Sequence, residues 1–304
     1  SGKSFQEDLL FIDVLDANAV SIDEICQDEQ IYNALTLGLK DYFIKTKHSQ
    51  CIIGLSGGID SALTCAIAVN GLGAEHVTGI AMPSQFSSDH SISDAEILAK
   101  NLGISFQTIP IKKLNEQFLH DLSPVFSGTK LGIAEENLQA RIRGNMLMAI
   151  ANKKNALVLN TGNKTESALG YCTMYGDMCG ALAVISDLNK PQVYSLSHWI
   201  NEHYGKQIIP NGTLTKLPAA ELAPNQVDPF DYDLVSPIVD SIVADGLDLR
   251  GLVEAGFDSD ISREIIRKIR YSEYKRRQSA PGIRISKKAF GLGRRYPIVS
   301  AYKE

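Results

Sequence analysis

Apolar positions along this chain recur in two alternating rhythms. Between residues 28 and 45, Ile31, Leu35, Leu39 and Phe43 return every fourth position, which predicts an amphipathic helix. Residues 51–55 are a short unbroken apolar run, the mark of a buried strand; a Gly/Ser turn and an apolar helical run at 62–69 follow. The alternation continues with strands at 77–82, 106–111 and 156–161 and helices at 91–102 and 135–153. Leu138, Ile142, Met146 and Ala149 are the expected buried stripe of the long helix. Strands alternating with helices predict an α/β fold, a doubly wound parallel sheet with flanking helices. Residues 210–237, rich in Pro, Asn and Asp, are expected to hold a long loop, and a helical C-terminal extension returns across 261–275. With no internal repeat and no low-complexity tract, one α/β domain is the simplest organisation.

Composition narrows the function classes. The chain has 304 residues, 44% hydrophobic and 21% charged, enough for a sizeable core without disulfide or metal staples. Its net charge of −5 argues against a general nucleic-acid binder. No stretch approaches the roughly 18 apolar residues of a membrane span, and the opening Ser-Gly-Lys-Ser is not followed by a signal-peptide core. The five cysteines (Cys26, Cys51, Cys65, Cys172, Cys179) lack metal-ligand spacing, and their odd number fits reduced thiols in a cytoplasmic protein.

The strongest chemical signal is the run Gly54, Leu55, Ser56, Gly57, Gly58, Ile59, Asp60, Ser61, set between a strand and a helix. In such folds this sheet edge binds ligands. Adjacent glycines let the backbone approach an anion, and the helix N-terminus behind them offers free N–H groups and a positive dipole end. Asp60 suits a phosphate only if a cation intervenes, so it points to Mg²⁺. The Lys of a Walker A loop is missing, which fits a loop that grips a departing pyrophosphate through backbone donors. The bland alternative is a common turn in which Asp60 and Ser61 cap the helix.

Three more segments carry candidate chemistry. Asn137 and Arg141 lie four apart and project together from one helix face, either as a nucleotide contact or as an ordinary solvated face. Residues 160–170 follow a strand at the same sheet edge; Thr161 is placed to bond a nucleotide and Glu166 to give a second carboxylate for magnesium, facing Asp60. A helix whose first turn merely favours an acid explains Glu166 equally. Residues 274–278, Tyr-Lys-Arg-Arg-Gln, are a solvated helix end, a substrate contact or an RNA-binding tail.

The run Ser56-Gly-Gly-Ile-Asp-Ser61 resembles the signature of the PP-loop ATP pyrophosphatases, which share an adenine nucleotide alpha hydrolase-like fold. Glu-Asn-Leu-Gln-Ala-Arg-Ile-Arg, Thr-Gly-Asn-Lys-x-Glu, Tyr-Gly-Asp and Glu-Tyr-Lys-Arg-Arg-Gln, in that order from about residue 28 to 297, are together similar to the NAD synthetases. The resemblance implies ATP binding by residues 54–61, Thr161 and Lys190, and Mg²⁺ held by Asp60 and Glu166. It implies deamido-NAD contacts from Asn137, Arg141, Glu166 and Lys275. Met174, Ala181 and Ala219 depart from the short ammonia-dependent members and look like the glutamine-dependent branch, in which a glutaminase domain precedes the synthetase. Residues 5–14 resemble the end of that domain. The expected division is therefore a leader or linker over 1–25, from an N-terminal glutaminase domain of a longer parent, and a synthetase domain over 26–304.

The implied reaction converts deamido-NAD to NAD. The nicotinate carboxylate attacks the α-phosphate of ATP, pyrophosphate leaves, and ammonia displaces AMP with no covalent enzyme intermediate. None of the six histidines falls in these motifs. Residues 84–91 and 212–231 are expected to be mobile without ligand and to close over the adenylate. A homodimer is expected by resemblance. Rival readings are a tRNA-modifying enzyme, a nucleotide sensor without turnover, and a structural partner of the glutaminase.

Overall fold

The computed structural model describes residues 2–9, 11, 25–224 and 226–301. Most of the expected linker, residues 12–24, lies outside the described residues, as does Asn225 in the long loop. Five parallel strands, β1 (Cys51–Gly54), β2 (Val77–Ala81), β3 (Ser105–Thr108), β4 (Leu157–Asn160) and β5 (Leu182–Ala183), lie in the order β3-β2-β1-β4-β5. The α-helices are α1 (Gln27–Thr46), α2 (Ile59–Leu72), α3 (Asp89–Leu102), α4 (Lys112–Phe126), α5 (Ile133–Lys154), α6 (Lys164–Leu169), α7 (Lys190–His203), α8 (Asn211–Thr215), α9 (Tyr232–Asp240), α10 (Leu249–Glu254), α11 (Ser259–Tyr271) and α12 (Glu273–Arg276).

Cys51 pairs with Val77 of β2 on one side and with Leu157 of β4 on the other. The chain winds outward through β2 and β3, then resumes on the far side of β1 through β4 and β5. Its direction reverses between β1 and β4, so a crevice opens beyond their carboxyl ends. Side chains of β1 alternate between faces. Cys51 and Ile53 pack with α1, α2, α3 and α7, whereas Ile52 packs with α5 through Ile142, Leu147 and Ala151. The expected α1 stripe is buried at Leu35, Leu39 and Phe43, joined by Tyr32, while Ile31 stays half-buried.

The expected stripe of α5 needs correction. Ile142 is buried, but Leu138 and Met146 are only half-buried and Ala149 is exposed. The helix buries Ala140, Gly144, Leu147 and Ala151 instead. Close backbone contact is the reason: a Cβ on Gly144 would lie 2.8 Å from the Gly176 carbonyl oxygen, and one on Gly176 would lie 2.9 Å from the Ala140 Cβ. A pattern built on large apolar residues overlooks a face made of small ones. Sequence periodicity also missed α4, α7 and the two-residue β5.

The helical C-terminal extension forms a second apolar cluster, in which Val235, Ile238, Ile265 and Ile269 pack on Ala168 and Leu169 of α6. The basic segment 274–278 is not a free tail. Buried Arg276 donates to the carbonyls of Ser167, Ala168 and Ile269 and pairs with buried Glu273 at 3.0 Å. Its guanidinium also stacks 4.4 Å from the Phe290 ring centroid. The extension thus clamps α6, which carries Glu166. Breaking a buried pair from one side costs about 3–5 kcal/mol. Arg276→Ala is therefore expected to lower the urea-unfolding free energy by about that amount; a loss below about 1 kcal/mol would contradict the clamp.

Candidate active site

The loop after β1 is shaped by its own side chains. Ser61 Oγ donates to the Gly58 carbonyl (3.0 Å), and the Gly58 N–H donates to Ser56 Oγ (3.2 Å). Gly57 has φ +76°, and a Cβ there would lie 2.2 Å from the Ser91 carbonyl oxygen. Two requirements for glycine coincide at that position: left-handed backbone and contact with α3. Gly58 opens the 14-residue helix α2 with no side chain to cap it, so the first N–H groups of α2 face the loop. Gly54, Leu55, Ser56, Gly58, Ile59, Asp60 and Ser61 line a cavity of about 330 Å³; Gly57 is turned into the α3 contact.

Asp60 does not cap α2. Its Oδ1 accepts from Asn163 Nδ2 at 2.9 Å, and its Oδ2 meets Lys190 Nζ at 2.5 Å. Lys190 Nζ also lies 3.3 Å from Glu166 Oε1, so one ammonium bridges both expected metal carboxylates. Each partner is positioned by a helix start. Asn163 caps α6 by accepting from the Glu166 N–H (3.0 Å), and Glu166 Oε2 accepts in return from the Asn163 N–H (3.3 Å). Asn189 caps α7 in the same way with Gln192, fixing Lys190 at the first helical position. Asn160 shapes the turn between: its Oδ1 accepts from the Gly162 N–H and its Nδ2 donates to the Asp177 carbonyl. Thr161 lines the same cavity.

The electrostatics follow from enclosure. Burial pushes the Glu166 carboxyl well up, the charge of Asp60 adds to this, and Lys190 works against it. Burial disfavours the Lys190 ammonium, but Asp60 and Glu166 outweigh it and hold the amine above its ordinary range. Burial lowers Arg143, another wall residue, to about 10, which leaves it cationic at neutral pH. Below the cluster, buried Lys164 pairs with Asp187 (3.0 Å) and Asp240 (3.1 Å), tying α6 to the turn before α7 and to α9.

The remaining expected site residues form a second group. Asn137 Oδ1 accepts from Thr173 Oγ1 (2.7 Å), and Arg141 Nε donates to the Met174 carbonyl (3.3 Å). Lys275 Nζ donates to the carbonyls of Gly170 and Cys172, both at 2.7 Å. None of the three lines the cavity; all converge on segment 170–174, of which Tyr171 and Cys172 do. Of the departing positions, Ala219 lines the cavity, Met174 carries the carbonyl bound by Arg141, and the Ala181 carbonyl accepts from Tyr42.

Sequence reasoning missed several residues of the site: Arg143, Asp177, Lys216, Glu221 and Asp228 in the cavity wall, and Asn163, which donates to Asp60. The N-x-x-E spacing of a capping box could have marked Asn163; Asp228 and Glu221, in irregular loop, carry no comparable signal. Glu221 has φ +49° and joins the two segments expected to close the site. Its carboxylate accepts from the Ser88 N–H (3.3 Å), Ser88 Oγ (3.0 Å) and Ser91 Oγ (2.6 Å), and Lys216 Nζ donates to Ser91 Oγ (2.7 Å).

A parallel sheet whose switch point carries a lysine-free Gly-Gly loop, opening a helix beside two facing carboxylates, defines an α/β fold of the PP-loop class. The chain belongs to the NAD synthase family, whose model matches residues 31–279. It is 47% identical over 307 aligned positions to a glutamine-dependent NAD(+) synthetase of Synechocystis sp., covering 98% of this chain and 55% of the relative. A second enzyme of that name, from Thermotoga maritima, is 46% identical over 91% of this chain and 49% of its own length. The solved glutamine-dependent NAD+ synthetase of Acinetobacter baumannii, in complex with ADP, superposes with TM-score 0.65 at 39% identity, covering 92% of this chain and 51% of that one. The chain thus spans about half the length of the relatives it matches. No helix among the described residues is long and apolar enough to cross a membrane.

Gly57 gives a direct check on the loop. Gly57→Ala is expected to cost at least about 2 kcal/mol more than Gly103→Ala, where φ is +70° but nothing lies within 4 Å of the added Cβ. Thermal unfolding of both variants measures the difference; equal losses would remove the α3 contact from the account.

Proposed function

We propose that the chain catalyses the ATP-dependent amidation of deamido-NAD to NAD through an adenylylated carboxylate, releasing AMP and pyrophosphate. The observation that carries this reading is the phosphate loop and the Asp60–Lys190–Glu166 cluster sharing one cavity. The nitrogen donor is ammonia, which in a longer parent comes from glutamine through a preceding glutaminase domain. Family membership, and names shared by relatives about twice as long, support that division.

The residues present fit Mg²⁺. This ion is commonly held by one or two carboxylates together with substrate phosphate oxygens, and Asp60 and Glu166 are two carboxylates facing one point beside the loop. Among the described residues, no group of three metal-ligating side chains offers an all-protein cage instead. When bound, the ion would neutralise charge between the two anions that must meet. The chain's own parts do the rest. The Gly58 turn and the start of α2 hold the departing pyrophosphate end, and Lys190 and Arg143 supply positive charge to the wall. Glu221, by joining segments 84–91 and 212–231, keeps water from the adenylate.

Asn137, Arg141 and Lys275 order segment 170–174 as the platform for deamido-NAD. Leu114, Phe118 and Val125 of α4 and Ile133 of α5 are exposed apolar side chains on adjacent helices, which supports a homodimer through this face. The inward engagement of Lys275 and Arg276 weighs against an RNA-binding tail.

Incubation with ATP, Mg²⁺, ammonium and deamido-NAD is expected to yield NAD, AMP and pyrophosphate in equal amounts, without RNA. Asp60→Asn is expected to slow this by about 10³-fold or more, equivalent to about 4 kcal/mol, with the unfolding midpoint retained. Near-normal turnover of that variant, or release of ADP and phosphate by the wild type, would refute the proposed reaction.

A further inference from the structure

The position of the Lys190 ammonium has a consequence for the order of binding. Asp60 Oδ1 is taken by the Asn163 amide, and Glu166 Oε2 by the Asn163 backbone N–H. The remaining oxygens, Asp60 Oδ2 and Glu166 Oε1, both face Lys190 Nζ, at 2.5 and 3.3 Å. A divalent cation held by both carboxylates would compete with the ammonium for these oxygens. An ammonium already against both leaves no room for it, and two cations that close in a buried site repel strongly. The side chain of Lys190 is 3% exposed, and the Tyr232 ring, with its centroid 5.1 Å from Nζ, closes another side.

The lysine is nevertheless able to leave. Its backbone is fixed by the α7 cap and by its N–H donating to Thr165 Oγ1 (3.3 Å), but the four-carbon stem beyond is flexible. It borders the same cavity as Ser56, Gly58 and Ser61, so the phosphate loop lies along the space open to it. A triphosphate seated on that loop offers the ammonium a more concentrated negative charge than two carboxylates that also repel each other.

We propose that Lys190 is a resident placeholder for the divalent cation, withholding Asp60 and Glu166 until a nucleotide triphosphate draws its ammonium away. The free enzyme then refuses the metal, nucleotide and metal enter with positive coupling, and the lysine changes partners from carboxylate to phosphate in each cycle. By linkage, whatever the nucleotide adds to metal affinity the metal returns to nucleotide affinity. The inference rests on the reading of Asp60 and Glu166 as the metal carboxylates.

Binding of Mn²⁺ to the nucleotide-free full chain, followed by the loss of the free-ion electron paramagnetic resonance signal, tests this without any turnover. The probe is Mn²⁺ alone, and the proteins are wild type, Lys190→Met, Lys190→Gln and Lys190→Gln/Glu166→Gln, with folding checked by thermal unfolding. The wild type is expected to bind weakly, both single variants at least about tenfold more tightly, and the double variant weakly again. Tight binding by the nucleotide-free wild type overturns the placeholder on its own, even if neither single variant folds, and leaves the carboxylate site standing. Weak binding by wild type and both folded single variants overturns the placeholder together with the metal reading beneath it.

Discussion

Two carboxylates brought together under a protein surface cannot both stay charged without a cation between them. Asp60 and Glu166 reach that point from opposite sides of the sheet's switch point, one from the helix after β1 and one from the helix after β4. Their mutual repulsion is the constraint on which the rest depends. It requires Lys190 at the start of α7, Asn163 as a neutral spacer, and a buried second layer in which Lys164 holds Asp187 and Asp240. Such a cluster is poor as a source of stability, because desolvation of the charges offsets most of their attraction. In the proposed reaction it serves a site that receives additional charge.

The fold explains why the constraint can be met. Reversal of winding between β1 and β4 leaves the ends of both strands uncovered, so the phosphate loop and the 160–163 turn share one crevice. Gly57 allows α3 to press against the loop from behind, and Gly144 and Gly176 allow segment 173–180 to close on α5. The helical extension then fixes α6 from below through Arg276. The geometry of the site is thus held by backbone contacts at glycines and by helix caps, both rigid, while the closing segments meet through the side chains of Glu221 and Lys216.

What the sequence made legible follows from these causes. Four of the five strands and the Gly-Gly loop could be read because each is local, an apolar run or a turn; the facing of Asp60 and Glu166 followed from placing both after strands of one sheet edge. The small-residue face of α5 could not, since Ala140 and Gly144 are buried by a backbone distant in sequence. Helix α7, by contrast, did carry a local signal, since Val193, Leu196 and Ile200 keep helical spacing. Residues 137, 141 and 275 were assigned together through family resemblance, and the structure brings them to segment 170–174, an arrangement that no spacing along the chain expresses. Loop residues such as Asp228 and Glu221 acquire their place only from tertiary contacts, so pattern reading had nothing to find.

The central claim is that a carboxylate oxygen of the substrate attacks the α-phosphate held over this loop. Deamido-NAD labelled with ¹⁸O in its nicotinate carboxylate, converted with ATP, Mg²⁺ and ammonium, tests it most directly. Mass spectrometry of the products should find one labelled oxygen in the phosphate of AMP and none in pyrophosphate. Label in inorganic phosphate alongside ADP, or unlabelled AMP alongside NAD, would contradict the account.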